Sequence, residues 1–216
     1  MDELLPDRYR AVVFDMDGLL LDTERLWHEA EIELFRRHGE EYTMEDRLAV
    51  MGTTAEITAA YFSQRLRLAP EDGIALVAEL TEIMRGSLTR HVRGQPGAIE
   101  LVERLRGRVP LALASNSPRD IVQTALAAAG VADAFDAVVT SDDVAHGKPA
   151  PDIYLLACQR LGVSPADSLA LEDTTSGIAA AKAAGLACFA VPQFAESDVS
   201  EADRVIDSLE ELLAEV

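Results

Sequence analysis

Basic residues are scarce in this 216-residue chain: 19 Lys and Arg stand against 38 Asp and Glu, a formal net charge of -19. A surface of that sign is repelled by phosphate backbones and anionic lipid headgroups, so no nucleic-acid and no membrane partner is expected. An anionic substrate would need local positive charge, or a metal, to enter. Most of the Glu residues read simply as a source of solubility. Cysteine is scarce too. Cys158 and Cys188 lie in apolar stretches and read as reduced core residues, as expected of a cytoplasmic protein. No uninterrupted apolar run approaches a transmembrane span. The stretch Met1 to Arg10 is polar and acidic, unlike a signal peptide. There is no internal repeat, no low-complexity segment and no long coiled-coil seam, so a monomer is expected. What is plentiful is apolar residue, 49% of the chain. That suffices for one globular domain, or one domain with an insertion.

Val12 to Phe14 is an apolar, β-branched run and reads as a buried strand. Thr23 to His38 has helical periodicity and stops at Gly39. The pattern stays helical through Arg90, with further helices after Thr43, after Gly52-Thr53-Thr54, and over Pro70 to His91. From Gly94 strand and helix alternate. Strands are expected at Pro110 to Ala114, Phe135 to Thr140, Ser168 to Leu171, Leu186 to Val191 and, at an edge, Arg204 to Ile206. Helices are expected at Pro96 to Arg106, Pro118 to Ala129, Ala150 to Leu161, Thr175 to Ala184 and Ser208 to Val216. Such alternation implies right-handed crossovers and a doubly wound α/β parallel sheet. The domains expected are therefore an α/β core made of residues 1–22 and 91–216, and an inserted all-α block, residues 23–90.

Four strands finish in unusual polar residues: Asp15 and Asp17, then Ser115 and Asn116, then Ser141 to Lys148, then Glu172 and Asp173. In a parallel sheet these converge on the edge where open α/β sheets bind ligands. Carboxylates that close repel one another and persist where a cation or a shared proton relieves them. Mg²⁺ takes hard oxygen ligands, using one or two carboxylates with phosphate oxygens of a substrate. Lys148 would neutralise a phosphoryl group, and Ser115 would donate to it. The inventory fits phosphoryl transfer with Asp as a covalent nucleophile. Each piece also has a plainer reading. Asp22-Thr23, Ser115-Asn116-Ser117-Pro118 and Glu172-Asp173-Thr174-Thr175 could each be a turn and helix cap, and Lys148 a solvated loop lysine. Their joint order at successive strand ends favours the site.

The motif set Asp15-Met16-Asp17-Gly18, Ser115, Lys148 in Gly147-Lys148-Pro149-Ala150-Pro151-Asp152, and Glu172-Asp173 resembles that of the haloacid dehalogenase-like hydrolases. More closely it resembles the branch with a helical cap after the first strand, which holds β-phosphoglucomutase and many sugar-phosphate phosphatases. The resemblance covers nearly the whole chain. It implies a Rossmann-like core and a cap that closes over the site, excludes water and selects a small-molecule phosphate ester. It implies Asp15 as nucleophile and Asp17 as acid and base. It implies Mg²⁺ on the Asp15 carboxylate, the Asp17 carbonyl and Asp173, with Glu172 direct or through water. Ser115, the Asn116 amide and Lys148 would bind the phosphoryl group. Gly52, Thr53, Arg119 and, more weakly, Arg25 and Arg47 are candidate substrate contacts. His146, two residues from Lys148, is the histidine expected nearest the site. The mutases place a Lys just before the cap-loop Gly, an Arg three residues after it, and a His where this chain has Trp27. Here Met51 and Ala55 stand at the first two positions, so a phosphatase is favoured over a mutase. Trp27 reads as a cap-core aromatic or a substrate platform. A dehalogenase proper would leave Asp17, Glu172 and Asp173 without a purpose.

Overall fold

The computed structural model describes residues 5–193 and 197–216. Residues 1–4 of the first core segment, with most of the acidic start of the chain, lie outside the described residues. A short helix α1 (Leu5–Arg8) leads into strand β1 (Ala11–Phe14). Helices α2 (Glu24–Arg37), α3 (Met44–Val50), α4 (Ala55–Arg65) and α5 (Gly73–His91) follow without an intervening strand. Then come α6 (Ala98–Leu105), β2 (Leu111–Ala114), α7 (Arg119–Ala128), β3 (Ala137–Val139), α8 (Asp152–Leu161), β4 (Ser168–Glu172), α9 (Thr175–Ala184), β5 (Ala187–Ala190) and β6 (Arg204–Val205).

The six strands are parallel, in the order β3-β2-β1-β4-β5-β6. This is a Rossmann-like doubly wound sheet whose order reverses between β1 and β4, where such sheets open a crevice beyond the strand ends. The central strands β1, β2 and β4 are buried on both faces, which explains their continuous apolar sequences. Alternation divides the side chains. Val12, Phe14, Leu111, Leu113, Leu169 and Leu171 pack with α6, α7 and the helices of the inserted block. Val13, Ala112, Ala114, Ala170 and Cys188 pack with Ile153, Tyr154 and Ala157 of α8 and Ile178 of α9. Both cysteines are buried thiols.

The inserted helices have a centre of their own. Phe35 meets Tyr42 and Phe62 edge-on, at centroid separations of 4.9 and 5.1 Å. Two ends of the chain differ from the sequence reading. Leu5 and Tyr9 are buried, with Tyr9 edge-on to Phe189, so the segment just before β1 is helical where only polarity was visible. The expected C-terminal α-helix is a 3₁₀ segment, Leu209–Glu215. Its buried residues, Leu209 and Leu212, are three apart, and a three-residue turn stacks them on one face.

Among the described residues, no helix is long and apolar enough to cross a membrane.

Candidate active site

Register brings the polar strand ends together. Val13 pairs with Ala112 and Ala170, so Asp15, Ser115 and Glu172 emerge side by side from β1, β2 and β4. The ladder continues one residue further, with the Asp15 amide donating to Leu171 O at 3.0 Å. Lys148 reaches in from the β3–α8 loop and is 2% exposed. Its Nζ donates to Asp15 Oδ1, to Glu172 Oε1 at 2.5 Å and to the Ala114 carbonyl at 3.0 Å. It is therefore not a solvated loop lysine. Burial alone would lower this ammonium, but Asp15 and Glu172 outweigh it and hold the group above its ordinary value.

Glu172 is fully buried and engaged on both oxygens. Besides Lys148, Oε1 accepts from the Tyr154 hydroxyl at 2.5 Å, and Oε2 accepts from the Asp173 amide at 3.1 Å. Asp15, Glu172 and Asp173 offer carboxylate oxygens within 4.8 Å of one another. Three carboxylates against one ammonium leave a buried negative excess. Burial pushes Asp15 up to about 8, against the pull of Lys148, and pushes Asp173 well above the carboxylate range, with Asp15 and Glu172 adding to it. Asp173 Oδ1 is buried and has no hydrogen-bond partner. An orphaned carboxylate oxygen in a set of hard oxygen donors suits a divalent cation.

Two glycines make room for this cluster. Gly18, at φ +88°, sits where a Cβ would fall on the Asp173 carboxylate, so both its conformation and its size are required. A Cβ on Gly177, in the first turn of α9, would fall on the Glu172 carboxylate. Gly177→Ala is therefore expected to displace Glu172 and with it Lys148, lowering stability by about 1–3 kcal/mol. Paired denaturation curves and Lys148-dependent turnover check this; unchanged values for both would show that α9 absorbs the methyl.

Asp17 faces a different set of partners. Its Oδ1 accepts from the Thr23 hydroxyl at 2.7 Å and from Trp27 Nε1 at 3.0 Å. Its Oδ2 accepts from Ser115 at 3.0 Å and Ser117 at 2.9 Å. The Asp17 side chain thus stands outside the Asp15–Glu172–Asp173 cluster. Thr23 and Ser117 do not cap their helices through their side chains. Their hydroxyls serve Asp17 instead. Thr174 does cap α9, accepting from the Gly177 amide at 3.1 Å.

Asp15, Asp17 and Lys148 line a cavity of about 130 Å³ whose other walls come largely from the inserted helices. Gly52 and Thr53 line it, as do Met51 and Ala55. Asn116 lines it and also ties three segments together. Its Oδ1 accepts from the Lys148 amide at 2.9 Å, and its Nδ2 donates to Lys148 O at 3.2 Å and to Gly52 O at 3.4 Å. Ser176 holds the same Gly52 carbonyl at 2.7 Å. Ser115 is buried beneath the cavity rather than lining it.

Arg119 stands apart: its guanidinium pairs with Asp143 at 2.5 Å, and among the described residues it does not line the cavity. His146 is exposed and faces Asp152 at 3.5 Å, and Arg25 pairs with Asp22 and Glu29 at the surface.

Arg47, by contrast, does line the cavity, together with Glu24, Trp27 and Glu31. The three α2 residues were not singled out as a set. Their spacing of three and four residues puts them on one helical face, and that is the signal that could have found them.

A sheet-edge nest of carboxylates holding one lysine, under a helical roof, defines a small-molecule hydrolase of the doubly wound class. A family model described as haloacid dehalogenase-like hydrolase matches residues 9–185. Fructose-1-phosphate phosphatase YqaB of Escherichia coli (strain K12) is 39% identical over 181 residues, spanning 83% of this chain and 95% of its own length. A phosphorylated carbohydrates phosphatase of Thermotoga maritima is 33% identical, spanning 82% of each chain. The crystal structure of a mutant CbbY from Rhodobacter sphaeroides in complex with xylulose-(1,5)bisphosphate is similar at a TM-score of 0.85, with 31% identity over 96% of this chain and 98% of that one. The chain belongs to the haloacid dehalogenase-like hydrolases and is a phosphatase of that family.

Proposed function

We propose that the protein hydrolyses a small sugar phosphate by way of an aspartyl-phosphate on Asp15, with Mg²⁺ bound by the Asp15 carboxylate, the Asp17 carbonyl and Asp173. The observation that carries this reading is the contact of Lys148 with both Asp15 and Glu172, where Lys148 and Asp15 line the cavity beneath the inserted helices. Asp15 attacks phosphorus and the ester P–O bond breaks. Asp17 delivers a proton to the departing sugar oxygen. In the second half Asp17 takes a proton from water, the water oxygen bonds to phosphorus, and the bond to Asp15 breaks. Lys148 and the Asn116 amide hold the phosphoryl oxygens and balance their charge, and Ser115, whose hydroxyl donates to Asp17, orients that acid and base. Glu172 aims Lys148 and completes the cation site directly or through water. A cation held by Asp15 and Asp173 would neutralise negative charge on the phosphoryl group.

Residues 23–90 act as a cap that excludes bulk water, and the Gly52 carbonyl, gripped by Asn116 and Ser176, is its fastening to the core. The chain works as a cytoplasmic monomer. The mutase alternative needs a second anion site. Met51 and Ala55, which line the cavity where mutases carry Lys and Arg, do not provide one.

Phosphate release across a panel of sugar phosphates with Mg²⁺, including β-glucose 1-phosphate, tests the reading. Glucose 6-phosphate formation is followed in the same samples, with catalytic bisphosphate added. Fast release, abolished by EDTA and restored by Mg²⁺, is expected. Isomerisation with little release would make the protein a mutase.

A further inference from the structure

The part of the cavity lined by the inserted helices has a distinct chemistry. Its ionisable residues, among those described, are Glu24 and Glu31 of α2 and Arg47 of α3, with Glu24 nearest the carboxylate cluster, beside Asp173 at Gly18. Glu31 and Arg47 are each 8% exposed. Arg47 Nη2 lies 3.7 Å from Glu24 Oε2 and 3.5 Å from the Glu24 carbonyl oxygen. The one guanidinium in this part therefore already faces a carboxylate. Glu31 has His28 Nδ1 at 3.9 Å, and burial pushes its carboxyl up to about 7, with Tyr42 and Arg47 pulling the other way. Near neutrality such a carboxyl both donates and accepts hydrogen bonds, as a sugar hydroxyl does. Thr53, Thr58 and Thr81 add hydroxyls to the lining, and Val50, Val77 and Leu80 give it apolar walls for C–H faces.

A second phosphate or a carboxylate placed here would meet two carboxyls and a guanidinium already committed to one of them. Neither carboxyl offers an anion a compensating charge, and an anion left unpaired away from water is strongly disfavoured. A neutral, hydroxylated group meets donors and acceptors of matching kind.

We propose that Glu31 and Arg47 form a hydroxyl-binding subsite that selects an uncharged polyol as the leaving group and rejects substrates carrying a second anion. The inference rests on the phosphatase reading and names the substrate class within it. It also separates this chain from its CbbY relative, whose complex contains a bisphosphate.

The test compares kcat/KM for hexose monophosphates with kcat/KM for the bisphosphate and the phosphorylated sugar acid of the same carbon skeleton. An aryl phosphate, p-nitrophenyl phosphate, is run beside them. The expected result is a preference of at least about thirtyfold for the best monophosphate over each doubly anionic analogue. Glu31→Gln, nearly identical in shape, is expected to raise KM for that monophosphate about tenfold while kcat changes less than about threefold, the mark of lost uniform binding. It is also expected to narrow the discrimination against the bisphosphate. A bisphosphate turned over as well as the monophosphate would overturn the subsite while the aryl phosphate still reported a working phosphatase. So would a Glu31→Gln enzyme with unchanged KM. Failure of the wild-type enzyme on every ester, aryl phosphate included, would remove the phosphatase reading and the subsite together.

Discussion

Asp15→Asn is expected to lower kcat by about 10⁴-fold or more while the protein stays folded. The amide keeps the shape of the carboxylate and can still lie against Lys148, but it is no nucleophile toward phosphorus. Lys148 retains Glu172 and the Ala114 carbonyl as partners, so no buried ammonium is stranded. Burial raises the Asp15 carboxyl against the pull of Lys148, so a neutral group of the same shape suits the buried site. The thermal midpoint is accordingly expected to stay level or rise in the metal-free protein. Kinetics and a melting curve on the same sample check both halves. Substantial residual turnover would sink the nucleophile assignment.

Lys148→Met carries the opposite expectation for stability. Among the described residues, Lys148 is the cation in contact with both Asp15 and Glu172. Methionine fills a similar volume but leaves Asp15, Glu172 and Asp173 facing one another without it. Breaking a buried pair in this way costs about 3–5 kcal/mol, because an uncompensated charge is left behind. Turnover is expected to fall at least about 10²-fold as well, since the phosphoryl group loses its fixed positive charge. Saturating Mg²⁺ is expected to recover part of the lost stability and little of the lost activity. Denaturation midpoints with and without Mg²⁺ give the answer. An unchanged midpoint in the metal-free variant would mean that the carboxyls are relieved by some other route.

The sheet was legible because each strand is a short apolar run followed by a polar break, and the order of these breaks placed Asp15, Ser115, Lys148 and Glu172 at one edge. Register then did what sequence can only suggest, pairing Phe14 with Leu171 and so setting Asp15 beside Glu172, with the Asp15 amide on the Leu171 carbonyl. What could not be read was the use of local polar groups. Thr23 and Ser117 look like helix caps in sequence, and their hydroxyls turn to Asp17 because the β1–α2 loop folds back beneath them. Trp27 looked like packing or a substrate platform, and its indole N–H also finds Asp17. Such contacts depend on the angle at which α2 enters, which periodicity does not encode. Arg119 illustrates the reverse: a basic residue in a promising position, drawn away by Asp143 from a loop 24 residues later. The pairing of Glu24 and Arg47 across two helices is likewise a product of packing in the inserted block.

The most direct test of the account is to trap the enzyme during turnover. The reaction is quenched, any acyl phosphate is reduced with borohydride, and the peptide spanning β1 and the Asp15 loop is read by mass spectrometry. The expected result is homoserine at Asp15, appearing only with substrate and Mg²⁺ present and absent in Asp15→Asn. Unmodified Asp15 at every time point while phosphate is being released, or modification at Asp17 or Asp173 instead, would contradict it.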